Sequence, residues 1–299
     1  MMIRPAAFDY NPQTAQSNRM QVESGPGSAE VAGLALAEFD AAVGGLRSAG
    51  VQVCVVADEP VPPKPDAVFP NNWVSWHADG TVVLYPMQAP NRRRERRPAS
   101  LETIAERCRY RIARVLDLSS FEAQGRYLEG TGSLVLDHVT RQAFACRSLR
   151  TDEGLVRHWA DQLGYTPVVF DAVDEAGVAY YHTNVMLSIG QKLAVVASET
   201  IAPADRERVL AALSAGSREL IEIDRAAVAA FAGNMLELLS ADGHRVYALS
   251  ARVKDALPKA DWKRLAAGTD QLLELAIPTL ERIGGGSVRC MLAEVFSPP

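Results

Sequence analysis

An apolar hairpin that recurs at intervals of about 50 to 60 residues constrains the fold of this chain more than any other feature. In each copy, small or amide residues lead into an apolar run, a tight turn follows, and a second apolar run leads back. The full copies occupy residues 71–85, 130–146, 182–196 and 233–249. A partial fifth copy runs from Val288 to Phe296. If Ile3 to Phe8 supplies its missing strand, the two termini meet and a ring of five units closes.

Helical stretches with an apolar period near 3.6 separate the hairpins, and three of them lead into a short strand. We predict helices over residues 30–49, 100–117, 151–164 and 203–215. The short strands are predicted over residues 51–55, 166–170 and 220–223. This alternation indicates an α/β protein with a single domain over residues 1–299, built from five modules.

Two other architectures bear on this interpretation. An ordinary layered α/β protein, in which the repeats are chance similarities, is the alternative to five modules. A Rossmann fold is disfavoured because Gly130-Thr131-Gly132 lacks a third glycine and opens a hairpin, where that fold requires a helix.

The composition is that of a soluble globular protein and argues against several classes of partner. The 299 residues are 48% hydrophobic and 22% charged, and the net charge is −5. Nucleic acids and anionic membranes require a basic surface, so we expect neither as a partner, although Arg92 to Arg97 forms one basic run. No stretch approaches the roughly 18 apolar residues of a membrane span, and the N-terminus lacks the regions of a signal peptide. We therefore expect a cytoplasmic protein, and the sequence is compatible with a homodimer.

The four cysteines, Cys54, Cys108, Cys146 and Cys290, lack the spacing of a metal site and the density of a disulfide scaffold. This usage suits a reducing compartment and predicts no metal. The first three lie in apolar segments and are predicted to be core residues. Cys290 differs because it follows Gly284-Gly285-Gly286, where the backbone can approach a ligand closely. Its thiol can act as a nucleophile if its pKa is lowered.

A cysteine nucleophile needs an acid–base partner and a group that orients it. Among the histidines, His182 is the best candidate, because it starts an apolar hairpin strand while the others fall at predicted turns or on a helix. A lone strand histidine is usually structural, and a carboxylate beside glycines, such as Glu129, is usually a solvated turn residue. However, three copies of the repeat present Glu129, His182 and Cys290 at equivalent strand starts, which a propeller would bring together at one end of its axis.

Five ordered motifs together resemble the pentein superfamily of guanidine-modifying enzymes, and most closely its dimethylargininase-related and citrulline-hydrolase branch. The motifs are Phe69-Pro70-Asn71-Asn72, Leu128-Glu129-Gly130-Thr131-Gly132, His182-Thr183-Asn184, Gly233-Asn234 and the terminal Cys290. The likeness extends over nearly the whole chain. It implies a five-bladed α/β propeller in which Cys290 is the nucleophile, His182 is the proton shuttle, and Glu129 holds the substrate nitrogen.

The same resemblance implies a set of substrate contacts and requires no metal or organic cofactor. The implied substrate-binding residues are Asp66, Phe69, Asn71, Asn72, Arg92, Arg150 and Asn184. Asp66 would bind the guanidinium, whereas Arg92 and Arg150 match family arginines that bind the substrate α-carboxylate. The polar segment from Tyr10 to Asn18 is interpreted as either a lid or a surface loop.

Two departures from the family pattern bear on the substrate. Asn72 and Asn184 stand where many relatives that act on arginine have a carboxylate. An amide removes the charge that would stabilise a guanidinium, but it both donates and accepts, so it can hold a neutral ureido group. We therefore predict a cysteine-dependent hydrolase that converts citrulline to ornithine, carbon dioxide and ammonia through a covalent intermediate on Cys290. The alternatives are an arginine deiminase or dimethylargininase, an amidinotransferase, and a catalytically silent propeller that binds an amino acid.

Overall fold

The four full hairpins predicted from the sequence each belong to a separate small sheet in the computed structural model, which describes residues 1–23 and 28–296. The strands are β1 (Met2–Arg4), β2 (Val55–Ala57), β3 (Val74–Trp76), β4 (Thr81–Leu84), β5 (Arg114–Asp117), β6 (Val135–Asp137), β7 (Gln142–Cys146), β8 (Thr166–Phe170), β9 (Leu187–Ile189), β10 (Leu193–Val196), β11 (Glu219–Glu222), β12 (Leu236–Leu239), β13 (Arg245–Ser250) and β14 (Gln271–Leu275).

Four sheets of the described chain share one topology, with the orders β3-β4-β5, β6-β7-β8, β11-β10-β9 and β12-β13-β14. In each of them the first two strands form an antiparallel hairpin, and the third pairs in parallel with the second. A parallel third strand needs a crossover connection, which explains why a helical stretch precedes it. The remaining sheet pairs β1 with β2 in parallel.

The helices supply the crossovers and the connections between sheets. They are α1 (Pro12–Ala15), α2 (Ser28–Ser48), α3 (Leu101–Arg107), α4 (Gly130–Ser133), α5 (Glu153–Leu163), α6 (Pro203–Leu213), α7 (Arg225–Ala229), α8 (Val253–Ala256), α9 (Lys259–Ala267) and α10 (Pro278–Gly284). The predicted helices near α2, α5 and α6 are confirmed to within about two residues.

Local chemistry accounts for the bounds of α5. The Asp152 side chain accepts a hydrogen bond from the Leu155 backbone N–H at 2.8 Å and caps the start of the helix. The helix ends at Gly164, whose φ of 68° is a left-handed conformation that favours glycine. Trp159 on its apolar face is fully buried, and the helix packs against β7 and β8.

The prediction of one long helix over residues 100–117 is wrong. α3 ends at Arg107, and Arg109 has a positive φ of 56°, which a helix cannot continue through. The last residues of the predicted helix form β5 instead. The apolar period continued past the true end of the helix because β5 also carries apolar residues.

The predicted strand starts are also corrected, because short helical turns precede the strands. The strands predicted from Gly130 and from His182 begin only at Val135 and Leu187. Val288–Met291 likewise forms a 3₁₀ turn, and no strand lies between Val288 and Phe296 in the described chain.

The predicted meeting of the termini is confirmed, although through a different pairing. The Met1 amino group donates to the Ala293 carbonyl at 2.7 Å, and the Ala293 N–H donates to the Met1 carbonyl at 3.1 Å. β1 itself pairs with β2, so the N-terminal segment contacts both β2 and the C-terminal segment.

Cys54 and Cys108 form a disulfide, with Cα atoms 5.3 Å apart. The prediction of two separate core thiols is therefore wrong, although both residues do pack against the core. The two cysteines are 54 residues apart, and spacing alone does not show that the start of β2 and the end of α3 lie side by side. Cys146 is a free and fully buried thiol, as predicted.

The described chain divides into two compact units. Unit 1 comprises Met1–Gly44, Val53–Thr131 and Ile277–Pro299, and unit 2 comprises Gly45–Gln52 and Gly132–Ala276. The core of unit 1 contains Trp73 and Trp76 from the β3 region and Leu101 and Ile104 from α3. Among the described helices, none has both the length and the apolar content needed to cross a bilayer.

Candidate active site

The loop that carries Cys290 is held by its own neighbours. Helix α10 ends at Gly285, with a φ of 62°, and the chain then enters the 3₁₀ turn Val288–Met291. The Cys290 N–H donates to the Ser287 carbonyl at 2.9 Å, and the Ser287 hydroxyl donates to the Glu281 carboxylate at 2.6 Å. Cys290 is not disulfide-bonded and is only 5% exposed, on a loop that is tied to α10.

The glycines before Cys290 are required by the ring of Phe69. A Cβ on Gly284 would lie 2.8 Å from the Phe69 ring, and a Cβ on Gly286 would lie 3.0 Å from it. A real Cβ essentially never comes closer than about 3.0 Å to another heavy atom, so only glycine lets the ring pack this closely. Phe69 therefore joins the Asp66–Asn72 segment to the Cys290 loop.

The Asn71–Asn72 motif lies in the 3₁₀ turn Pro70–Asn72, which contacts the turn that carries Cys290. The chain at Gly130 also approaches this turn, because a Cβ on Gly130 would lie 2.1 Å from the Asn71 carbonyl oxygen. The preceding residue, Glu129, is fully buried and accepts a hydrogen bond from the Gln88 N–H at 3.0 Å. Three predicted site segments thus meet in unit 1.

Arg92 is 3% exposed and is surrounded by acceptors. Its Nε and Nη2 donate to the two carboxylate oxygens of Glu95 at 2.8 and 2.9 Å, and its Nη1 donates to Asn72 Oδ1 at 2.7 Å. Nη2 also reaches the Phe69 carbonyl at 3.4 Å, and Nε lies 3.5 Å from Asp66 Oδ2. A guanidinium has five N–H donors, and the four hydrogen bonds to Glu95, Asn72 and Phe69 use four of them. One N–H of Nη1 remains for another partner.

The site in unit 1 has more buried carboxylates than cations. Burial raises the pKa of Glu95, and the nearby Asp66 and Glu129 carboxylates raise it further, although Arg92 opposes both effects. Burial alone would lower the pKa of Arg92, but Glu95 and Asp66 outweigh it and the pKa rises. Arg92 therefore stays charged, and the carboxyl groups of Asp66, Glu95 and Glu129 act on it together.

Several buried polar atoms in this site lack partners within the described ranges. They are Asp66 Oδ1, both side-chain polar atoms of Asn71, and Asn72 Nδ2. Nearly all buried polar atoms in folded proteins form hydrogen bonds, so such a group of exceptions needs an explanation. A ligand with both donors and acceptors would satisfy them.

The polar segment from Tyr10 to Asn18 contacts this site. Asn11 is fully buried, and its Nδ2 donates to Asp66 Oδ2 at 2.7 Å. Asn18 Nδ2 donates to the Gly285 carbonyl at 3.3 Å, near the Cys290 loop. The segment therefore contacts both Asp66 and the loop that carries Cys290.

Most of the basic run after Arg92 has partners within unit 1. The partners are the Met87 carbonyl for Arg93, the Glu122 carboxylate for Arg96 and the Asp58 carboxylate for Arg97. These three side chains therefore do not form a solvated basic face. Arg94 is the arginine of the run that is exposed.

Unit 2 brings together His182 and Arg150 around an aromatic ring that the sequence analysis did not identify. The Tyr181 ring lies 4.8 Å from the His182 ring, and the Arg150 guanidinium lies 4.9 Å from the Tyr181 ring centroid. His182 is 2% exposed and Arg150 is 1% exposed. Tyr181 therefore contacts a predicted acid–base residue and a predicted carboxylate-binding residue at once.

Asn184 lies two residues after His182, in the 3₁₀ turn Thr183–Val185. The Asn184 carbonyl accepts a hydrogen bond from Asn234 Nδ2 at 2.8 Å, so two of the predicted motifs meet here. The Thr183 hydroxyl donates to the Ser133 carbonyl at 2.6 Å and fixes the start of the turn.

The sequence analysis assigned no contact to four residues that touch the predicted site residues or their loop, and for Asn11 it named only the Tyr10–Asn18 segment. The four are Asn11, Glu95, Tyr181 and Glu281. Glu95 carried a signal, because it stands three residues after Arg92, a spacing at which side chains on one helical turn meet. No group of three or more His, Cys, Asp or Glu side chains within residues 1–23 and 28–296 could hold a metal ion.

The family described as N,N dimethylarginine dimethylhydrolase, eukaryotic, matches residues 4–297 of the chain. The chain belongs to this family. The predicted membership in the pentein superfamily is thereby confirmed, and the chain is a member of a family of hydrolases that act on C–N bonds of arginine-type substrates. No curated protein matches the sequence.

Solved structures share the fold at low sequence identity. The N-terminal domain of a substituted ArgZ bound to substrate, described as an arginine dihydrolase of the ornithine–ammonia cycle in cyanobacteria, is 17% identical with a TM-score of 0.73, over 99% of this chain and 97% of that one. AgrE in complex with ornithine and NAD⁺ is 17% identical with a TM-score of 0.72, over 100% of this chain and 39% of that one. A dimethylarginine dimethylaminohydrolase adduct is 15% identical with a TM-score of 0.63, over 97% of this chain and 96% of that one. The chain thus spans about two fifths of the AgrE chain and of the chain in the apo structure of ArgZ, of which it covers 40%.

Proposed function

We propose that this protein hydrolyses citrulline to ornithine, carbon dioxide and ammonia through a covalent intermediate on Cys290. The observation that carries the proposal is the buried Asn72 amide, whose Nδ2 has no hydrogen-bond partner in the described chain. Arg92 can only donate, so the Asn72 atom that faces it must be Oδ1, and the amide N–H₂ must point the other way.

A buried donor discriminates between the two substrate classes. The carbonyl oxygen of a ureido group can accept a hydrogen bond from Asn72 Nδ2, whereas a guanidinium has only donors. Leaving a buried donor without a partner costs about 1–3 kcal/mol. Asp66 Oδ1 and the Asn71 amide, which also lack partners among the described residues, could hold the N–H groups of the ureido group.

In the proposed reaction, the Cys290 thiolate attacks the ureido carbon, and the bond from that carbon to the side-chain nitrogen of ornithine breaks. His182 protonates the departing nitrogen, so that a carbamoyl thioester remains on Cys290. Water, deprotonated by the same histidine, then attacks the thioester carbon and releases the thiolate and carbamate, which decomposes to carbon dioxide and ammonia. Proton transfer of this kind typically contributes about 10²–10⁴-fold to the rate.

The remaining predicted residues have positioning roles in this proposal. Glu129 would hold the substrate nitrogen, Arg150 would bind the α-carboxylate, and Asn184 would contact the substrate beside His182. The mechanism requires His182 to act on the bond that Cys290 attacks. The Tyr10–Asn18 segment would have to open to admit the substrate.

A guanidino amino acid is the second candidate substrate, and the excess of carboxylates favours it. Asp66, Glu95 and Glu129 are all buried near Arg92, and their combined charge would stabilise a cationic guanidinium. An arginine deiminase or dimethylargininase would use the same thiol and release a different amine.

The test is product analysis of the purified protein with citrulline and with arginine in parallel, with Cys290→Ser as the control. Ornithine and ammonia formed from citrulline, and lost in the variant, would support the proposal. Citrulline formed from arginine, with no ornithine from citrulline, would overturn it in favour of the second candidate.

A further inference from the structure

We propose that Glu95 determines the preference for a ureido over a guanidino substrate, by holding Arg92 so that Asn72 presents only its N–H₂ group to the ligand. This inference rests on the proposed function, because it explains how that site would select its substrate. Glu95 acts in it as a positioning residue, and it makes no contact with the substrate.

Glu95 fixes the orientation of the Arg92 guanidinium. Both carboxylate oxygens of Glu95 accept from Arg92, at 2.8 and 2.9 Å, in the two-point geometry that fixes the plane of a guanidinium. The side chains of Arg92 and Glu95 are 3% and 2% exposed, so water does not compete for these hydrogen bonds. The two residues are three apart in a 3₁₀ turn, which keeps them on one side of the backbone.

Arg92 in turn fixes the orientation of the Asn72 amide. With the guanidinium plane fixed, Nη1 donates to Asn72 Oδ1 at 2.7 Å. This contact excludes the flipped amide, because Nδ2 would then face another donor. Asn72 Nδ2 therefore points away from Arg92, where no atom of the described residues accepts from it.

The orientation of the Asn72 amide determines which ligand it can bind. An amide locked in this orientation offers a hydrogen bond to the ureido oxygen of citrulline and opposes the N–H groups of arginine. If Glu95 no longer holds Arg92, the guanidinium can turn, and the Asn72 amide can flip to present Oδ1 to arginine. Releasing Arg92 should therefore reduce the preference for citrulline by improving arginine binding relative to citrulline binding.

The experiment measures the ratio of the dissociation constants of arginine and citrulline by calorimetry, in a Cys290→Ser background that stops turnover. Glu95→Asp keeps the negative charge and shortens the arm by one methylene, so a change in the ratio does not reflect net charge. We expect the ratio to fall about tenfold, the size of about one hydrogen bond to a buried group. Arg92→Lys keeps the positive charge but lacks the planar fork, and it should lower the ratio similarly.

Glu122→Asp is the matched control. Glu122 also binds an arginine through both carboxylate oxygens, namely Arg96, and it lies in unit 1 without a described contact to Asn72. General loosening of an Arg–Glu pair would change the ratio in both variants. We expect the ratio in Glu122→Asp to stay within about twofold of its value in the parent.

A double-substitution cycle tests whether Glu95 acts through Asn72. In an Asn72→Ala background, adding Glu95→Asp should leave the ratio unchanged, because no amide remains to be oriented. The inference is overturned if Glu95→Asp and Arg92→Lys both leave the ratio at the parent value, if Glu122→Asp lowers it equally, or if Glu95→Asp lowers it in the Asn72→Ala background too. Arg92→Lys decides the matter should Glu95→Asp fail to fold.

Failure of the proposed function has a different readout. If the protein with Cys290 intact forms no ornithine from citrulline, the proposed reaction is wrong, whichever ratio is measured. If it does form ornithine and Glu95→Asp leaves the ratio of dissociation constants unchanged, only the inference about Glu95 is wrong. Loss of α-carboxylate binding in Arg92→Lys would weaken both ligands equally and leave the ratio unchanged, so the ratio also separates the two roles considered for Arg92.

Discussion

Replacing Gly130 by alanine should disable the candidate site through the backbone of its neighbour. Gly130 has a φ of 48°, a conformation that costs a residue with a Cβ about 1–2 kcal/mol. The added Cβ would lie 2.1 Å from the carbonyl oxygen of Asn71 and 3.0 Å from that of Asn72. Because the obstructing atoms belong to the backbone, no side-chain rotation can relieve the overlap.

The geometry sets the size of the effect. Ordinary van der Waals contact begins at 3.4 Å, so the two segments must separate by about 1.3 Å at Asn71. A misplacement of about 1 Å can lower catalysis roughly 10²-fold, and we expect a fall of that order in kcat/KM for Gly130→Ala. Steady-state kinetics with citrulline, together with a thermal melt, measures the two consequences separately.

Gly125→Ala is the control for backbone strain alone. Gly125 also has a positive φ, of 67°, but a Cβ there would meet nothing within 4 Å. It should lower stability by about 1–2 kcal/mol while leaving kcat/KM unchanged. Wild-type kcat/KM in Gly130→Ala, or an equal loss in Gly125→Ala, would show that displacement of the Asn71 turn is not the cause.

Three further predictions concern the cysteines and the loop that carries Cys290. Burial raises the pKa of Cys146 to about 11, so at pH 8 only about one part in 10³ of this thiol is thiolate. Iodoacetamide should therefore label Cys290 and spare Cys146, and citrulline should protect Cys290. Equal labelling of both cysteines, measured by peptide mass spectrometry, would contradict this prediction. Cys54→Ser should lower the free energy of unfolding by up to about 4 kcal/mol, as expected for a cross-link that closes a loop of 54 residues, and a reductant should then have no further effect on the melting temperature. Ser287→Ala removes the hydroxyl that donates to Glu281 at 2.6 Å, and should lower kcat about tenfold with little change in KM, because the loop positions the nucleophile; an unchanged kcat in steady-state assays would refute that role.

Features set by neighbours in the chain could be predicted from the sequence. The hairpin between β3 and β4 follows from Asp79-Gly80, where Gly80 has a φ of 82° and the Asp79 side chain accepts from the Thr81 N–H at 2.9 Å. The bounds of α5 follow in the same way from a capping aspartate and a terminal glycine. In both cases the determining contacts lie within a few residues, so a local pattern contains the information.

Features that depend on distant segments could not be predicted. The Cys54–Cys108 disulfide joins residues that no pattern connects. The end of α3 was missed because apolar periodicity does not report a positive φ at Arg109. Arg92 was predicted from its family match, and its hydrogen bond to Asn72, 20 residues earlier in the chain, became apparent only from the structure.

The sequence by itself determined the repeated hairpins, the crossover helices and the segments that carry the candidate chemistry, because turn residues, caps and apolar periods act over a few positions. Only the tertiary structure decided which atoms of those segments face each other. The Asn72 amide is oriented by an arginine 20 residues away, and that arginine is held by Glu95 in a buried environment where every donor needs an acceptor. The pairing of Arg92 with Asn72 depends on the packing of unit 1, and a linear pattern contains no information on that packing.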